Sequence, residues 1–139
     1  MFSITDRQVR SIFKVGDKKT YERIVRPEDT AAFESGPVHP VYATFALTRD
    51  AEWSSRLFVL EMKEATEEGI GTFVKVMHVS PAFTGDKVVF EVVIDELKGN
   101  EVNCSFMAKS GTRLIAEGRT GQKILPTEKI EKLFSSLKK

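Results

Sequence analysis

The sequence predicts an α+β protein, in which an antiparallel sheet of about five strands wraps around one long helix. Residues 41–62 have helical periodicity, with apolar and small side chains recurring every three to four positions. Residues 18–25 alternate in polarity and predict a strand ahead of that helix. From residue 71 to residue 125 the period changes to that of strands, in four successive runs separated by turns that contain Gly or Pro.

The helix predicted over residues 41–62 has an unusual packing face. On this face lie Thr44, Leu47, Thr48, Ala51, Ser55, Phe58, Val59 and Met62. On or towards the opposite side lie Asp50, Trp53, Arg56 and Glu61. The middle of the packing face is small and hydroxyl-bearing, where an ordinary core helix carries Leu or Ile. Small residues let a helix lie close to a sheet and leave room for a group that is not a side chain.

Glu52 lies on the shoulder of this face, in the same arc as Phe45 and Val59. It comes two turns after Thr44, with Thr48 between them at i+4 spacing. A carboxylate beside apolar neighbours is expected to be paired, hydrogen-bonded or used chemically. The alternative is a side chain that extends to solvent or caps a neighbouring element.

The composition excludes several classes of protein. The chain of 139 residues is expected to form one domain over residues 1–139, and its formal net charge of +1 gives no field for binding nucleic acid or a membrane surface. No apolar run approaches the roughly 20 residues that span a bilayer, and the start of the chain does not resemble a secretory signal. Cys104 is the only cysteine, and with two histidines it is too little for a typical zinc site. We therefore expect a soluble cytoplasmic protein without metal or cofactor.

The segments around the predicted helix are less regular. Residues 1–15 predict a short helix or an irregular lead-in, and Thr30–Phe33 a short helical piece. Gly36, Pro37 and Pro40 break the chain before the helix, where a lid over a pocket would lie. Residues 63–69 are acidic and are expected in solvent. A terminal helix is predicted from Thr127, which is a plausible N-cap.

The predicted strands place one histidine beside apolar residues. His78 has the same parity as Thr72, Val74 and Val76, so it is expected on their face of the sheet. Gly118 and Gly121 permit bulges in the last strand. A five-stranded sheet around one helix leaves an edge or an outer face uncovered, which predicts a homodimer or a higher homo-oligomer.

Several residues with defined spacing resemble one family. They are Thr44, Glu52-Trp53, Gly71-Thr72 and His78, supported by Val41-Tyr42-Ala43, Gly69-Ile70, Val76-Met77, Pro81 and Gly85. In this order and at these spacings they resemble the fluoroacetyl-CoA thioesterase-like family of hotdog proteins, over about residues 18–125. The resemblance implies a hotdog fold and a dimer that binds acyl-CoA between helix and sheet, at sites on the subunit interface. It implies an acyl-CoA thioesterase that hydrolyses a small acyl thioester.

The resemblance also implies roles for particular residues. Thr44, Glu52 and His78 would form the catalytic group, and the substrate-binding residues would be Gly71, Val38, His39 and Tyr42. These roles agree with the chemistry of the residue types. A thioester carbonyl gains negative charge during attack, and a backbone N–H at a residue without a side chain can approach it closely. A histidine can transfer a proton near neutral pH, and a glutamate can orient the imidazole, activate water or attack directly.

The sequence departs from the family pattern at two places. The lid residues 36–40 lack the aromatic side chain expected in a fluoroacetyl-specific enzyme, and Gln122 stands where an arginine is expected. Both differences argue against fluoroacetyl selectivity and leave thioester chemistry as a class intact. Lys75, Arg119 and Lys123 are candidates for contacts with the CoA phosphates only because they are basic and lie on or near strands.

Other interpretations remain open at this stage. Thr44 could be only a helix cap and His78 only a core residue. The chain could also be a module that binds acyl-CoA or another apolar ligand without turnover, since a fold does not fix a function. A third function is an enoyl-CoA hydratase or dehydratase that uses His39, because residues 37–40 are faintly similar to the Asn-Pro-x-His segment of that branch. The residues expected before that segment are replaced by Glu34-Ser35-Gly36.

Overall fold

The computed structural model describes residues 12–138 of the chain, so the lead-in predicted over residues 1–15 lies mostly outside the described residues. The elements are β1 (Lys18–Ile24), a short 3-10 turn (Pro27–Asp29), β2 (Thr30–Phe33), β3 (Gly36–Tyr42), α1 (Thr44–Met62), β4 (Glu67–His78), β5 (Lys87–Lys98), β6 (Glu101–Ser110), β7 (Arg113–Pro126) and α2 (Thr127–Leu137). Five strands form one antiparallel sheet in the order β1-β5-β6-β7-β4, and β2 and β3 form a separate hairpin. Helix α1 contacts all five strands of the large sheet. The predicted α+β class is confirmed.

The core lies between α1 and the sheet. Leu47, Phe58 and Val59 of the helix are fully buried, together with Phe90 of β5 and Ile115 of β7. Burying one such side chain contributes roughly 1.5–3 kcal/mol, so these contacts supply much of the driving force for folding. The helix presents aromatic and branched side chains to the sheet at one end and small residues in its middle.

The small residues on the packing face of α1 allow close contact, as the sequence predicts. Ala51, Ser54 and Ser55 are buried, and the Thr120 hydroxyl on β7 donates a hydrogen bond to Ser55 Oγ over 2.7 Å. A direct bond between hydroxyls of the helix and the sheet is possible only because neither residue is large.

A β-bulge in β4 decides which residues face the helix. Gly71 pairs with Gln122 of β7, but Phe73 pairs with Gly121, so Thr72 is an extra residue between them. Without the bulge, Gly71 and His78 would point to opposite faces, because they are an odd number of residues apart. The extra residue places both on the helix side. The bulge predicted at Gly118 or Gly121 therefore occurs in the partner strand instead, opposite Gly121.

The N-terminal end of α1 differs from the prediction. The helix begins at Thr44, with Ala43 as its N-cap, whereas residues 41 and 42 belong to the β2–β3 hairpin region. Tyr42 pairs with Thr30, and Val41 makes an isolated bridge to Phe83. The short helical piece predicted for Thr30–Phe33 is wrong for the same reason: this segment pairs with β3 as a strand. Pairing within this hairpin overrides weak helical propensity.

Asp50 is buried and does not lie on the outer side of α1, where periodicity placed it. Its side chain is 1% exposed. Arg23 of β1 donates to both carboxylate oxygens over 3.1 and 3.0 Å, and Tyr42 and Arg49 donate to the same carboxylate. Burial raises the pKa of Asp50, but the hydrogen bonds from Arg23, Arg49 and Tyr42 outweigh it and hold the pKa below its usual range. Ion pairing stabilises this buried charge, and a hydropathy pattern cannot detect it.

The segment after α1 is less solvated than its acidic composition suggests. Strand β4 begins at Glu67, which is buried, and its carboxylate accepts a hydrogen bond from the Glu64 backbone over 2.8 Å. The terminal helix α2 begins at Thr127 as predicted, although Pro126 takes the cap position. Within residues 12–138, neither helix is both long and apolar enough to cross a membrane.

Candidate active site

Thr44 and His78 are hydrogen-bonded to each other. Thr44 is the first residue of α1 and His78 the last residue of β4, and the Oγ1 atom of Thr44 lies 2.9 Å from Nδ1 of His78. The Thr44 carbonyl also accepts a hydrogen bond from the Thr48 hydroxyl over 2.7 Å. The predicted cap role does not apply to Thr44, because Ala43 is the N-cap residue. The Thr44 hydroxyl instead fixes one ring nitrogen of the imidazole.

The other ring nitrogen of His78 is buried and has no hydrogen-bond partner within the described chain. If Nδ1 accepts the Thr44 proton, Nε2 is an unused donor; if Nδ1 donates, Nε2 is an unused acceptor. A buried polar atom without a partner costs free energy, which makes it a candidate contact for a ligand or water. Burial lowers the pKa of His78, and the nearby Ser80 backbone partly opposes this effect. The imidazole is therefore neutral at pH 7.

Glu52 and Gly71 form a second close pair. A Cβ atom added at residue 71 would overlap the Oε2 atom of Glu52. The Glu52 carboxylate thus occupies the space that a side chain at residue 71 would need. Glu52 is partly buried and has no hydrogen-bond or ion-pair partner among the described residues. It is therefore a carboxylate beside an open backbone, available to a bound molecule.

The two pairs are separate within one chain. Thr44 and Glu52 are eight residues apart on α1, which corresponds to about 12 Å along the helix axis. In the described part of the chain, no hydrogen bond or ion pair joins Glu52 to His78. We call Thr44 with His78 the threonine half-site, and Glu52 with Gly71 the glutamate half-site.

Each half-site opens into its own cavity. The cavity at the threonine half-site has a volume of about 660 Å³ and is lined by Ala31, Phe33, Val38, His39, Ala43, Thr44, Phe45 and Thr48. The cavity at the glutamate half-site has a volume of about 350 Å³ and is lined by Arg49, Glu52, Trp53, Arg56, Gly71 and Gln122. The first is mostly apolar, whereas the second carries three charged side chains.

The β2–β3 hairpin forms one wall of the larger cavity, where the sequence predicts a lid. Val38 and His39 line the cavity, whereas Tyr42 lines neither cavity and directs its hydroxyl to Asp50. The aromatic side chain missing from residues 36–40 has a counterpart in Phe33 on β2. Its ring packs edge-on against Phe45, with the centroids 5.9 Å apart. Because Thr30–Phe33 was interpreted as helical, Phe33 was not recognised as part of the cavity wall.

Two arginines at the smaller cavity were not selected from the sequence as site residues. Arg49 donates to the buried carboxylates of Asp29 and Asp50 through Nε and Nη2, and Nη1 has no partner among the described residues. Arg56 donates to the Gly69 carbonyl over 3.2 Å and also to Glu68. The signal was the spacing of residues 49, 52 and 56, which puts both arginines on the same stripe of α1 as Glu52.

The remaining polar candidates lie elsewhere. Lys75 and Arg119 are directly opposite each other in the β4–β7 pair, on the face of the sheet away from α1, and Arg119 donates to Asp95 over 3.2 Å.

Cys104 is buried, which raises the pKa of its thiol to about 12, so it is protonated at neutral pH. Residues 12–138 contain no cluster of three or more His, Cys, Asp or Glu side chains that could hold a metal ion.

A five-stranded antiparallel sheet around a central helix, with Thr44, Glu52 and His78 between the helix and β4, defines a hotdog-fold protein of the thioesterase superfamily. The chain belongs to the fluoroacetyl-CoA-specific thioesterase family, whose sequence model matches residues 25–128. The predicted family and the predicted hotdog fold are thus confirmed.

Solved structures support this assignment. The chain is 40% identical to a Thermus thermophilus protein described as a thioesterase superfamily member, with a TM-score of 0.86 over 93% of this chain and 95% of that one. It is 21% identical to the fluoroacetyl-CoA thioesterase FlK, with a TM-score of 0.81 over 89% and 96% of the two chains. A hot-dog-like protein from Thermanaerovibrio acidaminovorans has 21% identity and a TM-score of 0.82 over 91% and 94%. The search of curated proteins returned no match.

Proposed function

We propose that the protein is an acyl-CoA thioesterase, which hydrolyses an acyl-CoA to a free acid and CoA without a cofactor. One observation carries the proposal: in a chain of this family, a threonine–histidine pair lies at the start of α1 and a glutamate–glycine pair lies about two turns further along the helix, both between α1 and β4. Structures of FlK variants hold acetyl-CoA in one case and fluoroacetate with CoA in another. Ligands of this kind are therefore the first to test on this chain.

The proposed active site is shared between two subunits of a homodimer. About 12 Å of helix separates Thr44 from Glu52, so one chain cannot bring Glu52 into direct contact with the imidazole. A two-fold axis could place the threonine half-site of one subunit against the glutamate half-site of the other. Strand β4, which carries Gly71 and His78, is at an edge of the sheet and has an open side for such a contact.

The chemistry follows from the state of each group. The thioester carbonyl oxygen would lie near the backbone N–H of Gly71, a residue that has no side chain of its own and lies beside the Glu52 carboxylate. Water attacks the carbonyl carbon while Glu52 or the neutral His78 accepts the water proton, so a C–O bond forms. The C–S bond then breaks, and the proton is delivered to the sulfur of CoA. In the alternative, Glu52 attacks the carbonyl carbon, the C–S bond breaks, and CoA leaves as a thiolate that takes up a proton. Water then hydrolyses the resulting anhydride to the free acid and regenerates Glu52.

Thr44 is the positioning residue in this scheme. Its hydroxyl holds Nδ1 of His78 over 2.9 Å, and this leaves Nε2 for the reaction. The bond holds the imidazole ring in one orientation towards the substrate.

Release of free CoA from a panel of acyl-CoAs tests the proposed function. The panel contains acetyl-, isovaleryl-, phenylacetyl- and crotonyl-CoA, and calorimetry on the same preparation measures their binding. We expect CoA release from at least one saturated member. Binding without any release would identify a ligand-binding module. Hydration of crotonyl-CoA that is lost in His39→Ala would favour the hydratase, since His39 also lines the larger cavity.

A further inference from the structure

We propose that the acyl group of the substrate is apolar and larger than two carbons, with a branched or aromatic end, and that it occupies the cavity at the threonine half-site. This inference rests on the proposed thioesterase function and specifies its substrate class. It differs from the small acyl group that the sequence resemblance implied.

The lining of this cavity favours an apolar ligand. The side chains of Ala31, Phe33, Val38, Ala43 and Phe45 supply most of its wall. Among residues 12–138, its polar lining consists of two threonines and His39, without a carboxylate, lysine or arginine. An apolar chain loses no hydrogen bonds on entering such a space, and each buried methylene tightens binding by about fourfold. A charged acyl group would lose its hydration without gaining a partner.

The size of the cavity also favours a large acyl group. Its volume of about 660 Å³ lies in the range of pockets that enclose whole small ligands. An acetyl group would leave most of this space to water in contact with the two phenylalanine rings. Phe33 and Phe45 are 64% and 52% exposed, so both rings have large apolar surfaces that a bulky acyl group could cover.

The cavity is placed correctly for an acyl group because Thr44 forms part of its wall. Behind Thr44 lies His78, which is bonded to it through Nδ1. A thioester carbon held near this pair would direct its acyl chain towards the Phe33–Phe45 ring pair. The cavity at the glutamate half-site is less suitable, because Arg49, Arg56 and Glu52 line a smaller volume.

Two matched variants test the proposal. Ala31 lines the cavity and Ala32, its neighbour on β2, does not. Ala31→Leu should fill the cavity, whereas Ala32→Leu adds the same atoms outside it. The measured quantity is the ratio of kcat/KM for phenylacetyl-CoA or isovaleryl-CoA to kcat/KM for acetyl-CoA. A ratio is independent of the fraction of protein that is folded.

We expect this ratio to be at least about ten in the wild type, since the larger acyl group buries several additional carbons in the cavity. Ala31→Leu should lower the phenylacetyl ratio by at least about tenfold, because overfilling a packed site is costly, while Ala32→Leu should leave it unchanged. A preference for acetyl-CoA, or equal effects of the two variants, would overturn the proposal. So would loss of the dimer in Ala31→Leu alone, because the cavity would then be a contact between subunits.

Binding separates this proposal from the thioesterase function. Calorimetry compares phenylacetyl-CoA with free CoA for the wild type and both variants. In one outcome, no acyl-CoA is hydrolysed, phenylacetyl-CoA binds more tightly than CoA, and only Ala31→Leu removes this difference. That result would support the proposed acyl-binding cavity and exclude the proposed thioesterase activity. If acetyl-CoA is hydrolysed and phenylacetyl-CoA binds no more tightly than CoA, the thioesterase activity is supported and the binding of a bulky acyl group in this cavity is excluded.

Discussion

The carboxylate of Glu52 fills the space where a side chain of residue 71 would lie, so Gly71 and Glu52 are complementary across the helix–sheet interface. Gly71→Ala should force the carboxylate to move away from β4. Because a displacement of about 1 Å can cost a hundredfold in rate, we expect CoA release to fall by at least about that factor. Thermal unfolding of the same variant provides the control, and full activity in a folded Gly71→Ala protein would contradict this prediction.

Glu52→Gln separates an enzyme from a binding module. Glutamine keeps the size of the side chain but removes its ability to act as base or nucleophile. We expect acyl-CoA binding to persist while hydrolysis falls at least about a hundredfold, a loss of roughly 2.7 kcal/mol in transition-state stabilisation. Calorimetry and CoA release are measured on one preparation. Hydrolysis at the wild-type rate would mean that Glu52 is structural.

The two histidines should behave differently. His78→Ala is expected to remove most hydrolysis, because a general acid–base group contributes about a hundredfold to ten-thousandfold in rate. His39→Ala should alter chiefly the preference among acyl groups, since His39 lines the larger cavity and makes no hydrogen bond with Thr44 or His78. Steady-state kinetics on acetyl- and phenylacetyl-CoA compare both variants. The reverse order of effects would exclude the proposed role of His78.

The partial burial of His78 predicts a pH profile. Burial lowers its pKa below the ordinary 6.5, so most of the imidazole is neutral and competent as a base at pH 6.5. The acid limb of kcat/KM should therefore lie below pH 6.5. Stability changes in the same range: as the pH falls through 6.5 the unfolded chain binds a proton that the folded chain resists, so the free energy of unfolding decreases. His78→Gln should remove this contribution to the pH dependence, and an acid limb above pH 6.5 would contradict the assignment.

Complementation tests whether the site is shared between subunits. His78→Ala and Glu52→Gln are each expected to be inactive, and light scattering at low micromolar concentration should show a dimer for both. In a mixed dimer one of the two sites would contain an intact His78 and an intact Glu52. Co-expression in equal amounts should restore about a quarter of wild-type activity, since half of the dimers are mixed. If the mixture stays inactive while mixed dimers are present, the site is not shared in this way.

The sequence predicts the sheet well because its strands combine strong alternation with clear turns, as from Lys87–Lys98 through Glu101–Ser110. It fails where contacts with another element decide the structure of a segment. Thr30–Phe33 is a strand because β3 folds back on it, and Asp50 is buried because Arg23 reaches it from β1. Neither partner is visible in a local pattern.

The candidate site was predicted residue by residue but not as an arrangement. Thr44 and His78 are in contact, as the family resemblance suggested. Periodicity on α1 predicts Glu52 on the shoulder of the packing face, but only the structure shows that its carboxylate lies against Gly71 in a separate half-site. The arginines beside Glu52 were missed because two of their partners lie outside α1: Asp29 in the 3-10 turn and Glu68 on β4.

The extra residue at Thr72 constrains how this segment can change in length. Gly71 and His78 face the helix together only because an odd spacing is combined with one bulged residue. Removing one residue between them, without losing the bulge, would turn either the glycine or the histidine to the outer face. An insertion or deletion between Gly71 and His78 therefore keeps both residues on the helix side only if it involves two residues. A change of one residue keeps them there only if a bulge is gained or lost at the same time. In an alignment of functional relatives, the gap pattern between these two positions should follow this parity.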